Sequence, residues 1–204
     1  MKTLIALVAP TLILAASSAG AQTPAPAAQP LGGPAIPGVC LLSQQAVIAN
    51  AKVGVAATAR LKEITDAADA ELVAARTPIA ADAKALEAEA SSLKPSDLQA
   101  KRQALATRVQ ALEQTAEQRR REIELTRERA LAQIAQDAQP VIAAVYRSHG
   151  CGLLVDRTSI LGGNMAGDLT VDVVKGLDAK VTTISFERAT LPPQPAAMAQ
   201  AGGQ

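Results

Sequence analysis

Between Ser96 and Ser148 the apolar positions fall on alternating steps of four and three: Leu105, Val109, Leu112, Ala116, Ile123 and Ala130, with Arg119 and Thr126 filling two places in the same stripe. Glu, Gln and Arg hold the remaining positions, so the spacing predicts one long amphipathic helix with a weak coiled-coil seam. Upstream, Val55 to Leu93 has the same character, with Leu61 and Ile64 opening a stripe that continues through Leu72, Ile79, Leu86 and Leu93 at intervals of seven. Between the two, Pro95 cannot continue a helix and Ser96 or Asp97 can cap the next one. Two such helices, each needing an apolar partner, predict an antiparallel hairpin whose arm is about 55 Å long at 1.5 Å per residue. Pro78 and Pro140 lie inside the two helical stretches and are expected to bend them.

The pattern changes on either side of the hairpin. Gly38 to Leu42 is a short apolar run suited to a buried strand, followed by Ser43 as the cap of a short helix through Ile48 to Lys52, and Val53-Gly54-Val55 breaks the chain before the arm. After the arm, Gly152 to Asp156 reads as a second strand and Ser159 to Leu161 as a third, with Gly162-Gly163-Asn164 turning the chain. Val171 to Leu177 is a short amphipathic helix capped by Thr170 or Asp168, and Val181 to Phe186 is expected to add a last strand. The fold class is therefore mostly α with a small β body. The expected divisions are a signal peptide at 1–21, a Pro/Ala-rich leader at 22–37, a body formed by 38–54 and 149–190, the arm at 55–148 and a loose tail at 191–204.

Composition sharpens this picture. Of 204 residues 49% are hydrophobic, yet Tyr146 and Phe186 are the sole rings and much of the apolar content is Ala. A chain this poor in large side chains favours elongation and self-association over one deep core. A net charge of +1 argues against nucleic acid as a partner. At the N-terminus, Lys2, the apolar run Leu4 to Ala16 and Ala19-Gly20-Ala21 form a secretory signal pattern, with no Cys following that would take a lipid anchor.

Candidate chemistry is sparse. Cys40 and Cys151 are either two buried thiols or, in an oxidising compartment, a disulfide closing a loop of about 100 residues and contributing about 4 to 5 kcal/mol of chain entropy. His149 lies near Cys151, but nearness in sequence makes no nucleophile and base pair. The densest charge is the run holding Arg119, Arg120, Arg121, Arg127 and Arg129, where Arg120 can meet Glu124 and Glu117 can meet Arg121 at i, i+4. It is either a solvated helix surface with local ion pairs or a cationic surface for anionic lipid headgroups or acidic clients. No nucleophile motif, metal-ligand cluster or phosphate loop stands in the sequence, so no catalytic residue, cofactor or metal is expected, and an enzyme is the least favoured class.

The order of elements, together with Val39-Cys40-Leu41-Leu42 and Gln44-Gln45, Gln118-Arg119-Arg120-Arg121, Gly152-Leu153-Leu154-Val155-Asp156 and Asp168-Leu169-Thr170-Val171-Asp172-Val173-Val174, resembles the Skp/OmpH family of periplasmic chaperones over residues 38 to 180. The resemblance implies a homotrimer in which strands of three chains form a small β body and three hairpins surround a cavity. It also implies an ATP-independent holdase that keeps unfolded outer-membrane β-barrel proteins from aggregating before insertion. The near-neutral charge departs from the family's basic members. Two competing readings remain from the pattern alone: a secreted coiled-coil adaptor of the cell envelope, and an Ala-rich helix lying on a membrane surface.

Overall fold

The computed structural model describes residues 32–192, so the expected signal peptide, residues 22–31 of the leader and residues 193–204 of the tail lie outside the described part. Its elements are β1 (Val39–Leu42), α1 (Gln44–Asn50), α2 (Lys52–Glu89), α3 (Pro95–Ser148), β2 (Leu153–Asp156) and α4 (Thr170–Asp178), with a single 3-10 turn at Arg157–Ser159. α2 and α3 form the hairpin. At 1.5 Å per residue they are about 57 and about 81 Å long, so α3 extends past its partner into the body. Both run through their interior prolines, Pro78 and Pro140, as continuous helices.

β1 and β2 pair in parallel, Val39 beside Leu153 and Leu42 beside Asp156, so the whole hairpin is the crossover between neighbouring strands. The other side of β1 is taken by Gly167 to Leu169, where Leu41 donates to the Gly167 carbonyl at 2.9 Å and accepts from the Leu169 N–H at 2.9 Å. A Cβ on Gly167 would stand 2.7 Å from the Val39 carbonyl oxygen, which is why this close approach takes a glycine. The expected third strand at Ser159 to Leu161 does not form. The Asp156 carboxylate accepts from the Thr158 N–H at 2.8 Å, closing an Asx turn that diverts the chain into the 3-10 turn and leaves Leu161 fully exposed.

The core lies where the body meets the arm root. Cys40, Leu42, Val47, Val53, Ala57, Ile134, Ala138, Val141, Leu169, Val173 and Leu177 are buried together, drawn from every element except β2. Ser43 caps α1 by accepting from Ala46, as its sequence position suggests. The break before the arm falls at Ala51 rather than at Val53-Gly54-Val55. α2 begins at Lys52 because the Asp178 carboxylate at the end of α4 accepts its first free N–H at 2.7 Å. Gly54 stays helical, and a Cβ there would come within 1.7 Å of the Ile48 carbonyl oxygen, so the crossing of α1 over α2 depends on it.

Other ends differ from expectation for local reasons. α2 stops at Glu89, four residues short of Leu93, and α3 takes Pro95 as its first residue with Lys94 in the cap position. Proline suits that place because its missing N–H would have no helical partner there, so Ser96 and Asp97 ride inside the first turn instead of capping it. At α4, Asp168 rather than Thr170 receives the end: its carboxylate accepts from the Thr170 N–H at 2.9 Å, while Thr170 Oγ1 accepts from the Ser43 N–H at 3.0 Å and ties α4 to α1.

Val181 to Phe186 forms no strand. It leaves α4 as an irregular segment with a bend at Thr182, and Val181, Ile184 and Phe186 pack against the core. The part of the expected tail that is described, Leu191 and Pro192, continues this segment onto the arm.

Candidate functional site

Residues 181 to 191 form a strap that runs from the body toward the tip of the arm across both helices. Near its start Arg60 of α2 donates to the Phe186 carbonyl at 3.3 Å and pairs with Glu187 at 2.8 Å. Further along, the Ala189 N–H donates to Thr126 Oγ1 at 2.8 Å and the Leu191 N–H to Glu122 Oε1 at 3.2 Å, while Gln118 Nε2 donates to the Leu191 carbonyl at 3.1 Å. Gln118, Glu122 and Thr126 are four residues apart, so they stack along one face of α3 and meet an extended backbone that passes over it.

Glu122 is the centre of this contact and is 2% exposed. Burial pushes its carboxyl up, but the hydrogen bonds from Gln118 and the Leu191 N–H, with the charge and hydrogen bond of Arg119, outweigh that and hold it below its ordinary value. Arg119 donates to Glu122 at 3.0 Å and to Glu71 of α2 at 2.8 Å, and Arg188 of the strap reaches the same two carboxylates at 3.5 and 3.1 Å. Hydrogen bonds from Arg119 and then Arg188 lower the Glu71 carboxyl too. Two acids and two guanidiniums thus join α2, α3 and the strap, which is how a buried charge is accommodated.

Tipward of this knot the helices diverge from close packing. A cleft of about 310 Å³ opens between them, lined mainly by Leu72, Ile79 and Ala83 on α2 and Leu105, Val109 and Leu112 on α3. The seam residues expected from the heptad spacing face it, and they leave it unfilled. Beyond it a second cleft of about 290 Å³ lies beside Leu86 and Leu105, bridged by the ion pairs Arg108–Asp82 and Lys101–Glu89. Closer to the body the buried stripe of α3 runs instead through Glu122, Thr126, Ala130, Ile134, Ala138 and Val141, mostly at steps of four. The strap explains the shift, since it covers Glu122 and Thr126 from one side.

The five arginines singled out in the sequence do not form one surface. Arg119 turns inward to Glu71 and Glu122; Arg120 is exposed beside Glu117 at 3.8 Å, rather than Glu124; Arg121 is half-buried with Nε unpartnered and does not meet Glu117. Arg127 and Arg129 are exposed. At roughly 100° per residue, Arg120 and Arg127 share a face and Arg129 points away from it. Cys40 and Cys151 are joined by a disulfide with Cα atoms 5.8 Å apart, fastening β1 to the end of α3. His149 stands 3.2 Å from Asp172, away from any nucleophile geometry. Among the described residues no group of His, Cys, Asp and Glu could hold a metal ion, and no helix is long and apolar enough to cross a membrane.

Sequence reasoning set Thr126 in the stripe and Gln118 in the arginine motif but missed Glu122, Arg188 and the contact that joins all four. The signal was available only in part: a polar residue at every fourth place in an otherwise apolar helix face marks a face with a polar partner, but nothing linear names residues 186 to 191 as that partner.

A family model described as Outer membrane protein (OmpH-like) matches residues 38–177. A search of curated proteins returns no significant match. Among solved structures, a candidate outer membrane chaperone (OmpH-like) from Caulobacter crescentus CB15 is similar over 81% of this chain and 98% of its own, with 35% identity and a TM-score of 0.74. Parallel strands flanking a long hairpin, and a match that runs from β1 through α4, place the chain in the OmpH-like outer membrane protein family.

Proposed function

We propose that this protein is a periplasmic, ATP-independent holdase that keeps unfolded outer-membrane β-barrel proteins from aggregating before insertion, after export directed by residues 1–21. The observation that carries this reading is the open apolar cleft along the distal hairpin, held away from a disulfide-fastened body. An incompletely filled, Ala-rich pair of helices offers many weak contacts that adjust to different sequences, which suits a carrier of unfolded chains better than a shaped pocket does. The similarity to a candidate outer membrane chaperone supports the same role.

The working unit in this reading is a homotrimer. Ile36, Leu153, Leu161, Met165 and Val171 on or beside the body are exposed apolar residues, and burying them between copies would place three arms around one space. Arg120, Arg127 and Arg129 then supply cationic contacts for acidic clients or anionic lipid headgroups.

Dilution of a urea-unfolded outer-membrane β-barrel protein into buffer, followed by light scattering, tests the role beside a native mass measurement. Suppression of scattering without nucleotide by an assembly of three chains is expected. Unchanged scattering, or a lone chain at working concentration, overturns the reading.

A further inference from the structure

We propose that the face of α3 formed by Gln118, Glu122 and Thr126, with Glu71 and Arg60 of α2 beside it, is a binding track for extended polypeptide. The strap is its resident occupant, which an unfolded client displaces. The displacement rests on the holdase reading, whereas the track itself does not.

The contacts are those of backbone recognition. Thr126 accepts one N–H of the strap and Glu122 accepts the next but one, while Gln118 donates to a carbonyl of that second residue. These groups are present in every polypeptide, so the track reads an extended conformation rather than a sequence. The two residues it holds are spaced as on one side of a strand, and the residue between them, Thr190, is exposed. Small or aliphatic side chains fit under it: Ala189 is buried and Leu191 half-buried. A carboxylate 2% exposed that accepts a hydrogen bond from a main-chain N–H is a built acceptor, and without an occupant it would lose that partner.

The occupant is removable. Two of its charged ties, Arg60–Glu187 and Arg188–Glu71, involve half-exposed or exposed partners, whose net worth is small, and at the third, Arg188–Glu122, the buried carboxylate keeps Arg119 as a second partner when the strap leaves. The family match ends at Leu177, before the strap begins. The distal cleft starts at Leu72 and Ala116, directly beyond the place where Leu191 meets Gln118. An extended chain lying in that cleft therefore meets the end of the strap and competes for the same acceptors. A segment built this way limits client binding until a client with enough apolar length replaces it.

The double substitution Ala189→Pro and Leu191→Pro removes both N–H groups the strap donates to the track and leaves the track untouched. In the full chain this variant should bind a fluorescently labelled unfolded β-barrel protein about tenfold tighter, the factor expected if the strap fills its track about nine-tenths of the time. A labelled peptide of residues 181–191 should bind the variant saturably, bind the parent chain more weakly, and lose its binding when Glu122→Leu and Thr126→Val are added. Equal client affinity in parent and variant, with no saturable peptide binding and unchanged helicity by circular dichroism, overturns the proposal. If neither chain suppresses client aggregation yet the peptide binds as described, the track stands and the holdase reading falls.

Discussion

The arm root and the distal arm are built from the same Ala-rich alphabet and differ in how their helices meet. At the root Val53, Ala57, Ile134 and Ala138 are buried together between α1, α4 and the two arm helices, and the recess beside Ala138 is only about 20 Å³. In the distal arm Leu72, Ile79, Leu105 and Leu112 face a cleft with only two helices to close it, and Val109 stays 38% exposed. Four elements fill space that two cannot. Rigidity in this chain thus comes from the number of elements meeting at a point, and adaptability from their absence.

Four perturbations separate the two regions, from the largest effect downward. Replacing Cys40 and Cys151 with Ser removes a link spanning 111 residues and should destabilise the body by about 4 to 5 kcal/mol, read as a lower denaturation midpoint. Ile134→Ala, at a site 0% exposed, should cost about 3 kcal/mol in the same titration. Thr126→Val leaves the buried Ala189 N–H without an acceptor and should cost about 1 to 2 kcal/mol, with faster amide exchange at Ala189 and little change at Ile134. Leu112→Ala, facing the open cleft, should cost about 1 kcal/mol or less, because there is little packing to lose. If Leu112→Ala proved as costly as Ile134→Ala, the distal arm would be packed as tightly as the root.

Acid tests the strap without mutation. Glu122, faced by Gln118, Arg119 and Arg188, and Glu71, faced by Arg119 and Arg188, are both held below their ordinary value of 4.5. Their ties are complete above that value and are lost as the pH falls through the lowered one, so acid should free the strap and leave higher pH without effect. The amide resonance of Leu191, followed by NMR, should shift only in that acidic window. A shift centred near neutrality would assign the strap to other groups.

The hairpin and both paired strands were legible because their determinants are local: apolar spacing, one proline and short apolar runs. Most of what was not legible depended on residues distant in sequence, the turn at Asp156 being the exception. Val181 to Phe186 is rich in β-branched residues, as a strand is, but its neighbours are helix side chains and core residues, not another strand. Ser159 to Leu161 carries strand-forming residues, yet one carboxylate at Asp156 redirects it. The arginine run read as either a solvated surface with local ion pairs or a cationic surface, and neither reading places Arg119, because the partners that turn it inward are Glu71, 48 residues away, together with Glu122. The start of α2 at Lys52 was hidden in the same way, its cap being Asp178.

The disulfide at the hub has a topological consequence for the exposed hairpin tip. Because Cys40 and Cys151 sit on opposite sides of the entire excursion, a protease that severs the turn at 90–94 leaves both halves covalently joined. The nicked molecule should migrate as one species on a gel without reductant and as two fragments with it, and its root, clamped from four sides, should survive the cut.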